Sequence, residues 1–373
     1  MAGDKGRAMV HFGIGIPWEM KEYPIPTPEP GAIVTKITMS SICGSDVHEY
    51  KGDFGGPQNT KQKAKPKILG HEFVGRVHKL GSGVNTDFNG EPLKEGDRVI
   101  WCNLLPCGTC PTCLSGLGLP CPNRHVHEGT TSDEFPHFKG GFAEYYYVSP
   151  RQWIYKVPDA VPDEAAVYVN CAASTVAYAL HKAVFPLGST IVIQGAGGLG
   201  LSAASMAKEM GANRIIVIDK NTERLKMSRS FGADHTIDHN QYPEPQARIE
   251  RVKQLTGGGG SNVVLEVVAS SPEVVPEGIE MLALGGIYIT TGLVGSFSAN
   301  LGMMPFINKG IKLVGSGNYQ AWVMPKVLDF MARNIDKYPF DKIISHKFKL
   351  LDAEEAIKQA ALGKVIRAAI VMD

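Results

Sequence analysis

Ile191-Val-Ile-Gln-Gly195-Ala-Gly197-Gly198-Leu199-Gly200 decides the fold of this 373-residue chain. A short β-branched run leads into G-x-G-x-x-G, and Leu199–Met210 continues with a helical pattern that Gly211 is placed to close. A strand before the glycines and a helix after them is the context in which this motif reads as a dinucleotide-binding turn. Gly195 permits the tight turn, Gly197 lets backbone approach a pyrophosphate, and Gly200 lets helix and strand pack closely. The helix opened by Gly198 and Leu199 turns free N–H groups and a partial positive charge toward the phosphates.

The same alternation continues outward. Arg214–Ile218 reads as a buried strand, and Asn221–Phe231 as a helix with Asn221 as its N-cap and Gly232 after it. Thr236–Ile237, Asn262–Val268 and Gly286–Thr290 read as further strands, so a parallel, doubly wound sheet is predicted. Gly257–Gly260 reads as a flexible loop. Asp219 ends the second strand, 19 residues after Gly200. A carboxylate there accepts hydrogen bonds from both hydroxyls of an adenine ribose and repels a 2′-phosphate, which favours NAD over NADP. The alternative role for Asp219 is to cap the following turn. Lys220 and Arg224 are cations beside the same site that would tolerate a phosphate.

At 373 residues the chain exceeds one ordinary core, so two domains are the default. Residues before about 165 are rich in Pro and Gly, with short apolar runs at Ala32–Ile37, Phe73–Val77 and Asp97–Trp101, the texture of short strands and long loops. A net charge of +1 argues against a polyanionic partner such as nucleic acid. No run of about 18 apolar residues suggests a membrane span, and Met1–Gly13 lacks the apolar core of a secretory segment.

Cys107, Cys110, Cys113 and Cys121 follow the spacing C-x2-C-x2-C-x7-C. Four thiolates this close wrap one tetrahedral zinc and leave no coordination site open, which shapes a loop without doing chemistry. Disulfides fit poorly, because the cysteines number seven and a reducing cytoplasm is expected. A zinc ribbon for nucleic acid would more often pair two CxxC knuckles across a longer gap in a basic chain. A second, dispersed set lies at Cys43-Gly-Ser45-Asp46-Val-His48, at Gly70-His71-Glu72 and at Val169-Asn-Cys171-Ala-Ala-Ser-Thr175.

Taken together, these motifs and Gly363-Lys-Val-Ile-Arg367 make the chain resemble a zinc-containing alcohol dehydrogenase of the medium-chain dehydrogenase/reductase family along nearly its whole length. The resemblance implies an α/β architecture: a GroES-like β-rich catalytic domain with both zinc sites at residues 1–171, a Rossmann domain for NAD at 172–316, and a return to the catalytic domain at 317–373. It implies that Cys43, His71 and Cys171 ligate a catalytic zinc with a fourth position open. Glu72 would be the nearby carboxylate, Asp46 would orient the His ligand, and Ser45 and His48 would relay protons. Thr175 would pack near the nicotinamide, and Arg367 would contact the pyrophosphate alongside the glycine turn, Asp219 and Arg224. The implied reaction is reversible hydride transfer between a primary or secondary alcohol and NAD.

The start Cys43-Gly-Ser-Asp-Val-His48 is closer to polyol and threonine dehydrogenases, while the Cys171 segment is closer to alcohol dehydrogenases, so a sorbitol- or threonine-type dehydrogenase is the alternative. Asn103, four residues before Cys107, lines the pocket or serves a turn. Trp101 and Phe142 are pocket walls or core. Lys61, Lys63, Lys65 and Lys67 read as a solvated loop, or else as a mouth for an anionic substrate. His125, His127 and His137 receive no metal role, and Cys102 is expected to be buried and inert. Relatives of this type form homodimers or homotetramers, and the same is expected here.

Overall fold

The computed structural model describes residues 4–53, 65–115, 121–123, 125–126, 131–184, 186–268, 271–292 and 298–372. The chain divides into two compact units: residues 1–171, 320–335 and 340–373 form one, and 172–319 with 336–339 form the other. Lys61, Lys63, His127 and the side chain of His125 lie outside the described residues.

The first unit is β-rich. Its main sheet runs, neighbour to neighbour, Ile154–Lys156, Arg98–Trp101, Glu72–Leu80, Ile33–Ser41, Ala368–Val371 and His346–Lys349, and Tyr145–Val148 also pairs with Ile33–Ser41. The C-terminal strand thus closes against a strand from the beginning of the chain, with Ala369 opposite Ser41. The runs read at Ala32–Ile37 and Phe73–Val77 become the longer strands Ile33–Ser41 and Glu72–Leu80, because ladder bonds extend them past the hydrophobic residues, while Asp97–Trp101 keeps only Arg98–Trp101. Trp101 and Phe142 are fully buried. The Trp101 ring stacks on Phe73 at 4.5 Å and Phe142 lies beside Trp18 at 5.9 Å, so both belong to the core and form no pocket wall.

The second unit is a parallel sheet in the order His235–Asp238, Arg214–Asp219, Thr190–Gln194, Ser261–Glu266, Leu282–Thr290, Lys312–Gly315. Counted along the chain this is 3-2-1-4-5-6, the doubly wound order. Thr190–Gln194 is buried along its whole length, as a strand covered by helices on both faces must be. Strand order reverses on either side of it, so its C-terminal end, where Gly195 begins the turn, is the switch point at which such sheets bind ligands. Gly195 has φ +109°, and a Cβ on Gly200 would lie 1.9 Å from the Gly195 carbonyl oxygen. Neither position accepts another residue. A Cβ on Gly197 would meet only open space, a cradle on the side where a pyrophosphate would approach.

The helix after the turn spans Gly198–Glu209, and Asn221 caps Thr222–Ser230 by accepting the Arg224 N–H at 3.1 Å, as its sequence predicts. Gly257–Gly260 is a built turn rather than a loose loop. Gly258 N–H reaches the Lys253 carbonyl at 2.8 Å, and Gly260 N–H reaches Thr256 Oγ1 at 3.0 Å.

Beneath this sheet Arg248 and Glu277 form a buried two-pronged ion pair at 2.7 and 2.8 Å, and the remaining Arg248 nitrogen donates to the Tyr242 and Pro243 carbonyls. Removing one partner leaves the other charge desolvated and alone. Arg248→Ala is therefore expected to destabilise the fold by about 3–5 kcal/mol, read as a shift in denaturant midpoint. An unshifted midpoint would show that the pair contributes nothing.

Candidate active site and metal centres

Cys43 is the N-cap of the helix Gly44–Lys51, and it shares a capping box with Asp46. The Cys43 N–H donates to Asp46 Oδ2 at 2.7 Å, while the Cys43 sulfur accepts the Asp46 N–H. A sulfur at a helix N-terminus sits where negative charge is favoured. His71 directly precedes the strand Glu72–Leu80. The chain enters it through Gly70 at φ +89°, where a Cβ would press on the Phe142 ring at 2.8 Å. Cys171 lies in the π-turn Val169–Ala173, a widened helical geometry frequent at functional sites.

Folding brings these segments together within the first unit. One ligand atom each from Cys43, His71, Glu72 and Cys171 lies within 4.8 Å of all the others. The two sulfurs are 4.0 Å apart. Two thiolates on a tetrahedral zinc at about 2.3 Å stand about 3.8 Å apart, whereas a disulfide needs about 2.05 Å. His71 Nδ1 pairs with Asp46 Oδ1 at 3.0 Å, which leaves Nε2 as the ligating atom, and Ser45 Oγ lies 3.3 Å from that nitrogen. Two soft sulfurs and an imidazole are a donor set that fits zinc.

The electrostatics suit a cation. The hydrogen bond from Cys171 holds the Cys43 thiol well below its ordinary range, helped by His71 and Arg367, and the same bond pushes Cys171 well above. Glu72 is fully buried. Burial lifts its carboxyl to about 7, against the downward pull of the Arg367 guanidinium. Its Oε2 is bonded to Ser41 and Arg367, its buried Oε1 has no hydrogen-bond partner, and one of its carboxylate oxygens belongs to the ligand cluster. Arg367, expected from the sequence at a pyrophosphate, lies in the first unit with 5% exposure and has Glu72 as its ion-pair partner. Ser41 and this pairing were not anticipated, since Glu72 and Arg367 are 295 residues apart.

His48 is buried, and its Nδ1 meets Asp53 Oδ2 at 2.7 Å, with the Asp53 side chain 40% exposed. Asn103 is also buried. Cys102 is fully buried, and its sulfur accepts the Leu104 N–H. His137 donates within its own loop to the Ser132 carbonyl and stacks on Tyr23, a structural role. Lys65 is exposed, and Lys67 pairs with Glu49 at 3.6 Å.

Cys107, Cys110, Cys113 and Cys121 form the second cluster, with sulfur separations of 3.5, 3.7 and 3.9 Å. That spacing again matches thiolates around one zinc. Backbone N–H groups of Thr109 and Cys110 lower the Cys107 thiol to about 5.

In the second unit, Asp219 accepts the Ala196 N–H at 2.6 Å on one oxygen and the Asn221 N–H at 2.8 Å on the other. The carboxylate thus braces the glycine turn and the next turn at once, and each oxygen keeps one lone pair for a ribose hydroxyl. Leu199 and Arg224 are half-buried beside this turn and helix, and Thr175 is half-buried in the first turn of Ser174–Lys182.

The sequence matches the alcohol dehydrogenase GroES-like domain over residues 29–159 and the zinc-binding dehydrogenase domain over residues 198–333. It is 32% identical to 5-exo-hydroxycamphor dehydrogenase of Pseudomonas putida, covering 94% of this chain and 95% of that protein. It is 30% identical to L-threonine 3-dehydrogenase of Pyrococcus horikoshii, covering 93% and 92%. The fold superposes on an alcohol dehydrogenase from Thermotoga maritima with a TM-score of 0.90 at 29% identity, covering all of both chains. No helix among the described residues is long and apolar enough to cross a membrane. The chain is an oxidoreductase that belongs to the zinc-type alcohol dehydrogenase family of medium-chain dehydrogenase/reductases.

Proposed function

We propose that this chain is a zinc-dependent alcohol dehydrogenase that moves a hydride reversibly between a primary or secondary alcohol and NAD, with two zinc ions per subunit. A polyol or amino-alcohol substrate is the second reading, favoured by the threonine dehydrogenase among its relatives. The observation that carries the proposal is the convergence of Cys43, His71 and Cys171 on one point, with Ser45 beside them.

Cys43 Sγ, His71 Nε2 and Cys171 Sγ would hold the catalytic zinc, and the four-cysteine lobe the structural one. When bound, the catalytic zinc supplies a Lewis acid that polarises a carbonyl and acidifies an alcohol. NAD, when bound, carries the hydride. The chain does the rest. Asp46 fixes the tautomer and orientation of His71 through Nδ1. Ser45 Oγ, next to the proposed ligating nitrogen, would accept the substrate hydroxyl proton while releasing its own, which His48 would take up. His48 carries a proton onward to Asp53, whose exposed carboxylate opens to solvent. Asp219 binds the adenine ribose, and the Gly195–Gly200 turn receives the pyrophosphate. Arg367 balances the Glu72 charge behind the cluster. Seven thiols without a disulfide suit a reducing cytoplasm. A homo-oligomer is proposed from the exposed Leu284, Ile307 and Leu313 around the outer strand Lys312–Gly315.

Cys43→Ala should retain one zinc where the wild-type chain holds two, and its alcohol-dependent NADH formation should fall by at least about a thousandfold, the loss of several kcal/mol of Lewis-acid stabilisation. Metal analysis and a turnover assay check this, and full activity in that variant would end the catalytic-zinc reading. A like charge facing a 2′-phosphate costs several kcal/mol, so kcat/KM with NAD should exceed that with NADP by at least about 100-fold. A preference for NADP would overturn the assignment of Asp219. Light scattering should find a homodimer or homotetramer, and Leu313→Glu should reduce its mass. A monomeric wild-type chain would remove the oligomer proposal.

A further inference from the structure

We propose that Asn170 is a positioning residue for the metal centre, its side-chain amide fixing where Cys171 stands relative to His71. The inference rests on the zinc reading above and assigns a role to a residue outside the ligand set.

Asn170 is fully buried. Its Nδ2 donates to the His71 carbonyl at 3.0 Å and to the Trp101 carbonyl at 2.8 Å. Two acceptors around one atom fix it as the amino group, and an –NH2 has one hydrogen for each. One acceptor is the backbone of a proposed ligand, and the donor side chain belongs to the residue next to another. The Cys171 N–H also reaches the Tyr168 carbonyl, at 3.4 Å. Asp46 already ties the Cys43 backbone to the His71 ring. Asn170 ties the third segment to these two, so the ligands are braced in series: Cys43 to Asp46 to His71, and His71 to Asn170 to Cys171. The Trp101 bond anchors the same amide to the strand Arg98–Trp101, whose end packs in the core. Ligands must be held to within about 0.5 Å for a centre to keep its geometry, and buried hydrogen bonds to ligands are the usual means.

Asn170→Asp is close to isosteric and replaces the donor with an acceptor facing two carbonyls. Asn170→Ser removes the amide and leaves room for water, and it carries the test should the Asp variant fail to fold. Wild type, Cys43→Ser and both Asn170 variants are purified with zinc, counted for metal, titrated with a chromophoric chelator, and reloaded with Co2+ for visible spectra. Wild type is expected to hold two zinc ions and Cys43→Ser one, in line with the two ligand clusters. In the Asn170 variants the zinc absent from Cys43→Ser should be held roughly 10–100-fold more weakly, with shifted cobalt d–d bands and unaltered binding in the four-cysteine lobe. Affinity within about twofold of wild type, with the wild-type cobalt spectrum, would overturn the inference while leaving the zinc reading intact. Equal weakening of both zinc ions together with a lowered thermal midpoint would also overturn it, by showing a general structural role. A wild-type chain with zinc only in the lobe would sink the zinc reading and this inference with it.

Discussion

The active-site geometry depends on one carboxylate. Asp46 accepts the Cys43 N–H with one oxygen and meets His71 Nδ1 with the other. The first bond makes the helix Gly44–Lys51 start at Cys43, and the second decides which His71 nitrogen faces the cluster. A single planar group therefore couples a helix cap to an imidazole 25 residues away. The helix start brings the sulfur a favourable field, and Gly70 swings the chain so that His71 arrives at the same point. Backbone requirements and ligand requirements coincide there, which is why a short helix suffices to hold a reactive sulfur.

The nucleotide unit rests on an analogous double use. Asp219 ends one strand and bonds the Ala196 N–H of the glycine turn that follows another. The turn-bracing bonds of Asp219 leave room for the proposed ribose contact, because each carboxylate oxygen serves one N–H and retains acceptor capacity. The glycines divide their work by sterics: Gly195 by its positive φ, Gly200 by the carbonyl that crowds it, and Gly197 by the open space before it.

Local features were legible in the sequence. The glycine turn, the Asn221 cap, the parallel alternation and the four-cysteine cluster each depend on neighbours a few residues apart. Pairings set by tertiary distance were not. Trp101 and Phe142 could not be sorted between core and pocket from residue type alone, and packing against Phe73 and Trp18 decided it. The Glu72 partner of Arg367 was not legible, because a lone arginine carries no mark of its partner and Glu72 lies on a strand far away in sequence. Asn170 was visible only as the residue beside Cys171. Its partners are main-chain carbonyls 99 and 69 residues distant, and backbone groups leave no compositional signal. The one hint available was an amide next to a ligand position, where a small apolar residue would have packed more simply.

Charge balance explains why this cluster asks for a cation. Glu72, Cys43 and Cys171 gather with His71, and the Arg367 guanidinium pairs with the buried Glu72. Protons are one remedy: the neighbouring Cys43 sulfur and burial push the Cys171 thiol up, and burial raises the Glu72 carboxyl. A divalent ion is the other remedy. It would let both sulfurs ionise and would give the unpartnered Glu72 Oε1 a counter-charge within reach. Protonated and metal-bound forms compete for the same electrostatic vacancy, and the braces from Asp46 and Asn170 hold the donor atoms at metal spacing in either case. The protein thus gathers sulfur, imidazole and carboxylate donors at metal spacing, with the Ser45 hydroxyl beside them where a bound Lewis acid would act.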